Sequence, residues 1–138
     1  MMSVLAGCIT VASAAIADAG IDCVDLVVGG VAALVGTQDL QGMVTVLDPC
    51  PVEHLDMGAA CVVGYLSSRD EITELWAKGD AGPSAESIVD RAVEAALAAR
   101  TVLVEAVTEA AELRSAPRSI VANDATNGSI SKDVEMAG

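Results

Sequence analysis

The feature that most limits the fold is an apolar segment at the start of the chain, "SVLAGCITVASAAIADAGIDCVDLVVGG", which contains no Lys or Arg. Its apolar residues recur at helical spacing and predict a helix over residues 4–19. Ser3 is positioned to cap this helix, and Gly20 to end it in a left-handed turn. Because the helix is rich in Ala and Ser, it can approach a neighbouring surface closely.

The next segment, "VDLVVGGVAALV" at residues 24–35, predicts a strand. It is rich in Val and almost entirely apolar, as a strand covered on both faces is. Gly29 and Gly30 indicate a bulge or a close backbone approach within it. No G-x-G-x-x-G pattern surrounds these glycines, which argues against a nucleotide-binding loop.

The rest of the chain predicts three more strands and a second helix. "MVTVLD" (43–48), "AACVVGYLS" (59–67) and "EITELWA" (71–77) are the strands, and 84–112 is a long amphipathic helix with Ser84 as its N-cap. Arg100 interrupts its apolar stripe, which favours a side chain that reaches toward water. The order predicts an α+β domain with a mostly antiparallel four-stranded sheet and helices on one face.

Composition limits the function of the chain. It has 138 residues, a net charge of −13 and a pI of about 4.1, so by itself it is a poor ligand for nucleic acid but suits basic partners. With only Tyr65 and Trp76 as aromatics, the core must be aliphatic. The apolar start lacks a signal-peptide charge and is too short to span a bilayer, which indicates a soluble intracellular protein without a membrane partner.

The four cysteines are irregularly spaced, without a Cys-x-x-Cys pair, and favour no metal site. The sequence instead predicts free thiols that pack as small apolar residues in a reducing compartment. The residues concerned are Cys8, Cys23, Cys50 and Cys61.

Three stretches together resemble the RNase PH-like subunits of the eukaryotic RNA exosome ring. They are "LAGCITVASAAIADAGIDCVDLVVG", "LDPCPVEHLDMGAACVVGYL" and "ITELWA", and the similarity covers about residues 3–112. The resemblance implies an RNase PH-like (ribosomal protein S5 domain 2-like) half domain at 1–112, with two helices packed on a mixed, mostly antiparallel sheet. It also implies that the family's N-terminal half is missing. Residues 113–138 are polar and aperiodic and predict a disordered tail.

Active members of this family degrade RNA from its 3′ end by phosphorolysis, and a Thr-Arg pair in the first helix binds the phosphate. The matching positions here are Val4 and Leu5, which cannot bind phosphate. Asp48 matches the first of two catalytic acids, and only Glu53 and Asp56 lie near the second position. His54 is the single histidine and has no nucleophile beside it, so no catalytic site, metal or cofactor is expected.

The resemblance therefore implies a non-catalytic structural subunit that supports 3′–5′ RNA processing and degradation. Its partners would be other RNase PH-like subunits in a hexameric ring, the cap subunits, and RNA through the assembled complex. The expected location is the nucleus and nucleolus, and also the cytoplasm. Arg69 and Lys78, placed in loops, are weak candidates for RNA contact and more typical of solvated surface charges.

Two alternatives stay open. One is a phosphorolytic exoribonuclease half that a partner chain completes. The other is a truncated acidic domain that associates with itself through an uncovered sheet edge or helix face and has no exosome role.

Overall fold

The computed structural model describes residues 2–37, 42–50, 52, 54 and 56–115. The chain forms helix α1 (Met2–Asp18), strands β1 (Val27–Thr37), β2 (Gly42–Leu47), β3 (Met57–Leu66) and β4 (Glu71–Gly79), and helix α2 (Ala85–Ser115). Short 3-10 turns, Ser67–Arg69 and Gly82–Ser84, precede β4 and α2. The predicted order of helix, four strands and helix is confirmed.

The four strands form one sheet in the order β2-β1-β3-β4. All three pairings are antiparallel, with Ala33 opposite Val46 in β2 and opposite Ala60 in β3. β1 and β3 are the central strands and are buried along most of their length. The α+β class with two helices on a four-stranded sheet is confirmed.

The two helices pack on opposite faces of the sheet, and the prediction of one shared face is wrong. A Cβ added to Gly29 would lie 2.2 Å from the Ala6 carbonyl oxygen in α1. A Cβ added to Gly30 would lie 1.9 Å from the Ala92 carbonyl oxygen in α2. Successive strand residues point to opposite faces, so each glycine admits one helix. The predicted close approach at this pair is confirmed.

Most residues in both layers of the core are small and apolar. The α2 layer is the larger, and the α1 layer is built around Ala6, Val31 and Val62. Such residues let helix and sheet backbones approach closely. The α2 layer contains Ala32, Leu34, Ala59, Cys61, Val63, Tyr65, Ile88, Ala92 and Ala96.

Helix α1 also satisfies backbone groups of β1 that no strand reaches. The pairing of β2 with β1 begins only at Ala32, so β1 is open on that side nearer its start. There the Val27 N–H donates to Ser13 Oγ at 2.9 Å and the Gly29 N–H donates to Thr10 Oγ1 at 3.0 Å. Two hydroxyl groups of α1 thus take the place of a neighbouring strand.

The ends of the helices differ in part from the prediction. Because α1 begins at Met2, Ser3 lies inside the helix and is not its N-cap. Gly20 follows α1 with a φ of 71°, which confirms the left-handed turn. Its N–H donates to the Ala17 carbonyl oxygen, and the Ile21 N–H donates to the Ile16 carbonyl oxygen. Helix α2 runs to Ser115, three residues into the segment expected to be a tail, and 116–138 lie outside the described residues.

Candidate functional site

A cavity of about 520 Å³ opens beside the N-terminus of α1. Its walls are mainly apolar and come from the start of α1, the second residue after β2, and strands β3 and β4. Among the described residues of its lining, Lys78 is the one with a cationic side chain, and Ser3 supplies a hydroxyl group. The lining consists of Met2, Ser3, Pro49, Met57, Gly58, Ala59, Ala60, Trp76, Lys78 and Gly79.

Val4 and Leu5 lie in the first turn of α1, at the positions that match the phosphate-binding pair. Their side chains are 67% and 41% exposed and carry no hydrogen-bond donor. The first turn of any helix offers free N–H groups and a favourable dipole to an anion. Here neither side chain adds to them, and the sequence has no Lys or Arg before Arg69.

The candidate acids Asp48 and Asp56 lie beside different parts of β1, because Asp48 directly follows β2 and Asp56 directly precedes β3. The Asp48 N–H donates to the Val31 carbonyl oxygen at 3.0 Å, and the Asp56 carbonyl oxygen accepts from the Gly36 N–H at 2.9 Å. Val31 and Gly36 are five residues apart in β1, which corresponds to about 17 Å in a strand. The structure therefore does not bring these two acids together, and Glu53 lies outside the described residues.

His54 belongs to a local turn. Its backbone N–H donates to the Cys50 carbonyl oxygen at 2.9 Å, and its ring Nδ1 donates to the same oxygen at 3.1 Å. Of the residues the structure describes, no three among His, Cys, Asp and Glu are grouped closely enough to hold a metal ion.

Arg69 and Lys78 lie at opposite ends of the β3–β4 hairpin. Arg69 is exposed in the 3-10 turn between the two strands. Lys78 was expected in a loop, but β4 continues to Gly79, so it is a strand residue opposite Ala60. The hairpin separates the two cations, which therefore do not form one basic patch.

An ion pair that the sequence analysis missed joins α2 to the start of the sheet. Arg100 Nη2 donates to Asp25 Oδ1 at 3.1 Å, so Arg100 does not simply reach into water as predicted. The Asp25 carboxylate also accepts the Leu26 N–H at 2.7 Å and the Ser68 N–H at 3.0 Å. It ties three segments together. The sequence signal for this ion pair was an Arg inside the apolar stripe of a helix, together with an Asp just before an apolar strand.

The surroundings of Asp25 hold its carboxyl group in the ionised form. Burial acts to raise the pKa of Asp25, but the hydrogen bonds from Leu26, Arg100 and Ser68 and the Arg100 charge more than offset it. The pKa of Asp25 therefore lies below its ordinary value.

A second polar contact closes the turn between β3 and β4. The hydroxyl group of the buried Tyr65 donates to Asp70 Oδ1. Asp70 has a φ of 52°, so this contact holds a residue in left-handed backbone. The hydrogen bond to Asp70, together with burial and the Asp70 charge, raises the pKa of Tyr65. Both polar contacts join segments of the fold.

The cysteines only partly follow the prediction of buried free thiols. All four are free, but only Cys61 is buried, with its Sγ 3.5 Å from the Ile88 carbonyl oxygen. Burial raises the pKa of the Cys61 thiol. The exposed cysteines are Cys8, Cys23 and Cys50.

Comparison with known proteins gives homology over most of the chain. The chain is 52% identical over 114 residues to "Exosome complex component MTR3" of Chaetomium thermophilum, which is 79% of this chain and 39% of that protein. It is 33% identical over 109 residues to "Exosome complex component mtr3" of Schizosaccharomyces pombe, 77% of this chain and 41% of that protein. No protein-family model matches.

The sheet, its two helices and this homology place the chain in the RNase PH-like class of folds, which confirms the resemblance stated above. Within that class the chain is a homologue of the exosome component MTR3. It spans about two fifths of the length of the curated relatives it matches. Neither helix in the described residues combines the length and apolarity that crossing a membrane requires.

Proposed function

We propose that this chain is a non-catalytic structural component of an RNA exosome ring. The observation that carries the proposal is the 52% identity to an exosome component over 79% of the chain. The partners would be other RNase PH-like exosome subunits in a hexameric ring and the cap subunits, with RNA held by the whole assembly. The corresponding locations are the nucleus, the nucleolus and the cytoplasm.

The absence of catalysis is supported by the chemistry at the start of α1. Phosphorolysis needs a dianion held next to a polyanion, so several cations or preorganised donors must converge there. The side chains of Val4 and Leu5 offer none, and of the described residues that line the adjoining cavity only Lys78 has a cationic side chain. The separation of Asp48 from Asp56 also argues against a pair of acids that would assist the leaving group.

The rival function, a phosphorolytic half completed by another chain, has one observation in its favour. The N-terminus of α1, Ser3 and Lys78 border the same cavity, and each offers a hydrogen-bond donor to an anion. We regard one cation as insufficient, because the net charge of −13 repels a phosphate dianion.

Reconstitution with the other exosome subunits tests the proposal. We expect the chain to enter the ring, and phosphate-dependent release of nucleoside diphosphates from RNA to be the same with wild type and with Asp48→Asn. Asp56→Asn, directly before β3, is the matched control. Loss of that release with Asp48→Asn alone would refute the absence of catalysis, and failure to enter any ring would refute the structural role.

Titration with inorganic phosphate tests the cavity directly. We expect no saturable binding to wild type and no difference from Lys78→Met. Saturable binding that Lys78→Met abolishes would favour the phosphorolytic alternative over the structural one.

A further inference from the structure

The outer edge of β4 is an exposed strand edge. No described strand lies beyond β4 in the sheet, and every residue of Glu71–Gly79 is exposed. The backbone N–H and C=O groups on that side can therefore pair with another strand. Because every pairing in the sheet is antiparallel, one more antiparallel strand would extend it regularly.

Three side chains of different chemistry alternate along one face of this edge. Glu74, Trp76 and Lys78 lie opposite Gly64, Val62 and Ala60 of β3, on the face that α1 covers. Trp76 is 44% exposed. Neither Glu74 nor Lys78 forms a salt bridge within the described residues. They are about 13 Å apart along the strand, too far to pair within one chain.

The pattern is complementary to itself. When two β4 strands lie antiparallel with Trp76 opposite Trp76, Glu74 of each copy lies opposite Lys78 of the other. The two-fold axis makes this ion pair twice and places an aromatic pair at its centre. Leu75 lies opposite Ala77 on the other face. A slip of one residue would set side chains from opposite faces across from each other.

The β-bulge in β4 fits the same register. The pairing of β3 with β4 shifts between Gly64 and Tyr65, which leaves Thr73 as the extra residue. The regular part of the edge is therefore residues 74–79, which contains all the residues that the self-pairing uses. Beyond the bulge the strand turns away from a flat partner.

We propose that a second copy of this chain docks on the β4 edge as an antiparallel strand centred on Trp76. This goes beyond the proposed ring role, which concerns other subunits and is measured separately. A one-strand contact buries less than about 1,200 Å², so we expect weak association at about 0.1–1 mM protein. The net charge of −13 on each copy opposes it, and about 0.15 M salt screens that repulsion beyond roughly 8 Å.

Sedimentation equilibrium and tryptophan fluorescence test the proposal on the full chain at that salt concentration. Trp76 is the only tryptophan, so its emission reports this edge alone. We expect a monomer–dimer equilibrium with a blue shift of the emission as the protein concentration rises. A monomer throughout this range, or a series of larger species, would overturn the proposal.

Charge reversal makes the test specific to the register. Glu74→Lys and Lys78→Glu each set like charges opposite one another twice, and each should raise the dimer dissociation constant about tenfold or more. An equimolar mixture of the two variants restores both ion pairs and should dimerise like wild type. Glu71→Lys, before the bulge on the same strand, is the matched control and should also dimerise like wild type.

Circular dichroism at low concentration checks that each variant is folded. If the single variants associate as wild type does, or if the mixture fails to recover, the proposed register is wrong.

Discussion

Substitution of Gly30 by Ala tests the helix-on-strand contact at the centre of the fold. A Cβ at this position would lie 1.9 Å from the Ala92 carbonyl oxygen and 2.7 Å from the Ala96 backbone nitrogen. Both are backbone atoms of α2, so no side-chain rotation relieves the overlap. An ordinary carbon–oxygen contact needs about 3.4 Å or more, so α2 must move by about 1.5 Å.

The energetic cost follows from what that movement disrupts. Ala92 and Ala96 are fully buried and pack in the larger core layer with Ile88. Overpacking of a well-packed core costs about 1–3 kcal/mol, and a rigid backbone neighbour puts Gly30→Ala at the upper end. The lower entropy of the unfolded chain returns about 0.4–1 kcal/mol. We expect a net loss of about 2 kcal/mol from a total stability of about 5–15 kcal/mol.

Urea unfolding followed by circular dichroism measures this loss. With a dependence of about 1–3 kcal/mol per molar urea, a loss of about 2 kcal/mol should lower the midpoint of Gly30→Ala by about 0.7–2 M. Gly7→Ala is the matched control, because a Cβ there meets nothing within 4 Å. It should raise the free energy of unfolding by about 0.5–1 kcal/mol through helix propensity. Equal midpoints for Gly30→Ala and wild type would refute the close contact.

Two further predictions concern polar and thiol groups. Asp25→Asn should lower the free energy of unfolding by about 2 kcal/mol at pH 7, because half-buried Arg100 loses its counter-charge. Asp22→Asn is the control, because Asp22 is exposed. Folding lowers the pKa of Asp25, so the stability difference between wild type and Asp25→Asn should be constant above about pH 4. The difference should shrink at lower pH, as acid protonates the wild-type carboxylate. An unchanged difference at about pH 2 would contradict this prediction. A thiol reagent should label the three exposed cysteines rapidly and Cys61 only on unfolding, as measured by mass spectrometry. Rapid labelling of all four cysteines would contradict the burial of Cys61.

Local patterns in the sequence were sufficient to predict the elements and their order. Helical spacing, Val-rich runs and Gly20 each act through neighbours close in the chain, and the structure confirms them. The face of the sheet on which each helix packs was not predicted correctly, because it depends on contacts between segments that are distant in the chain. Gly29 and Gly30 are adjacent in a strand, and their alternation carried the information that two surfaces approach from opposite sides.

The candidate site was less predictable for a similar reason. The closeness of Asp48 and Asp56 in sequence suggested a pair, but β2 and β3 lie on opposite sides of β1, and the two acids bond to β1 residues that are five positions apart. The ion pair of Asp25 with Arg100 spans 75 residues and follows from the packing of α2 across the sheet. Sequence separation therefore indicates little about distance when the chain moves to a non-adjacent strand or when a helix packs across the sheet.

The exposed side of α1 connects the fold to the proposed role. Helix α1 has no charged residue before Asp18, and a helix that is apolar on all sides is usually covered by other parts of a protein on more than one side. Within the described residues the sheet covers one side, through Ala6, Thr10 and Ser13. Val4 and Val11 lie two helical turns apart on the same side of α1 and are both 67% exposed, and Ile16 is 44% exposed; exposed apolar residues of this kind mark contact surfaces. We therefore expect another part of an assembled complex to cover this side of α1, as the proposed structural role requires.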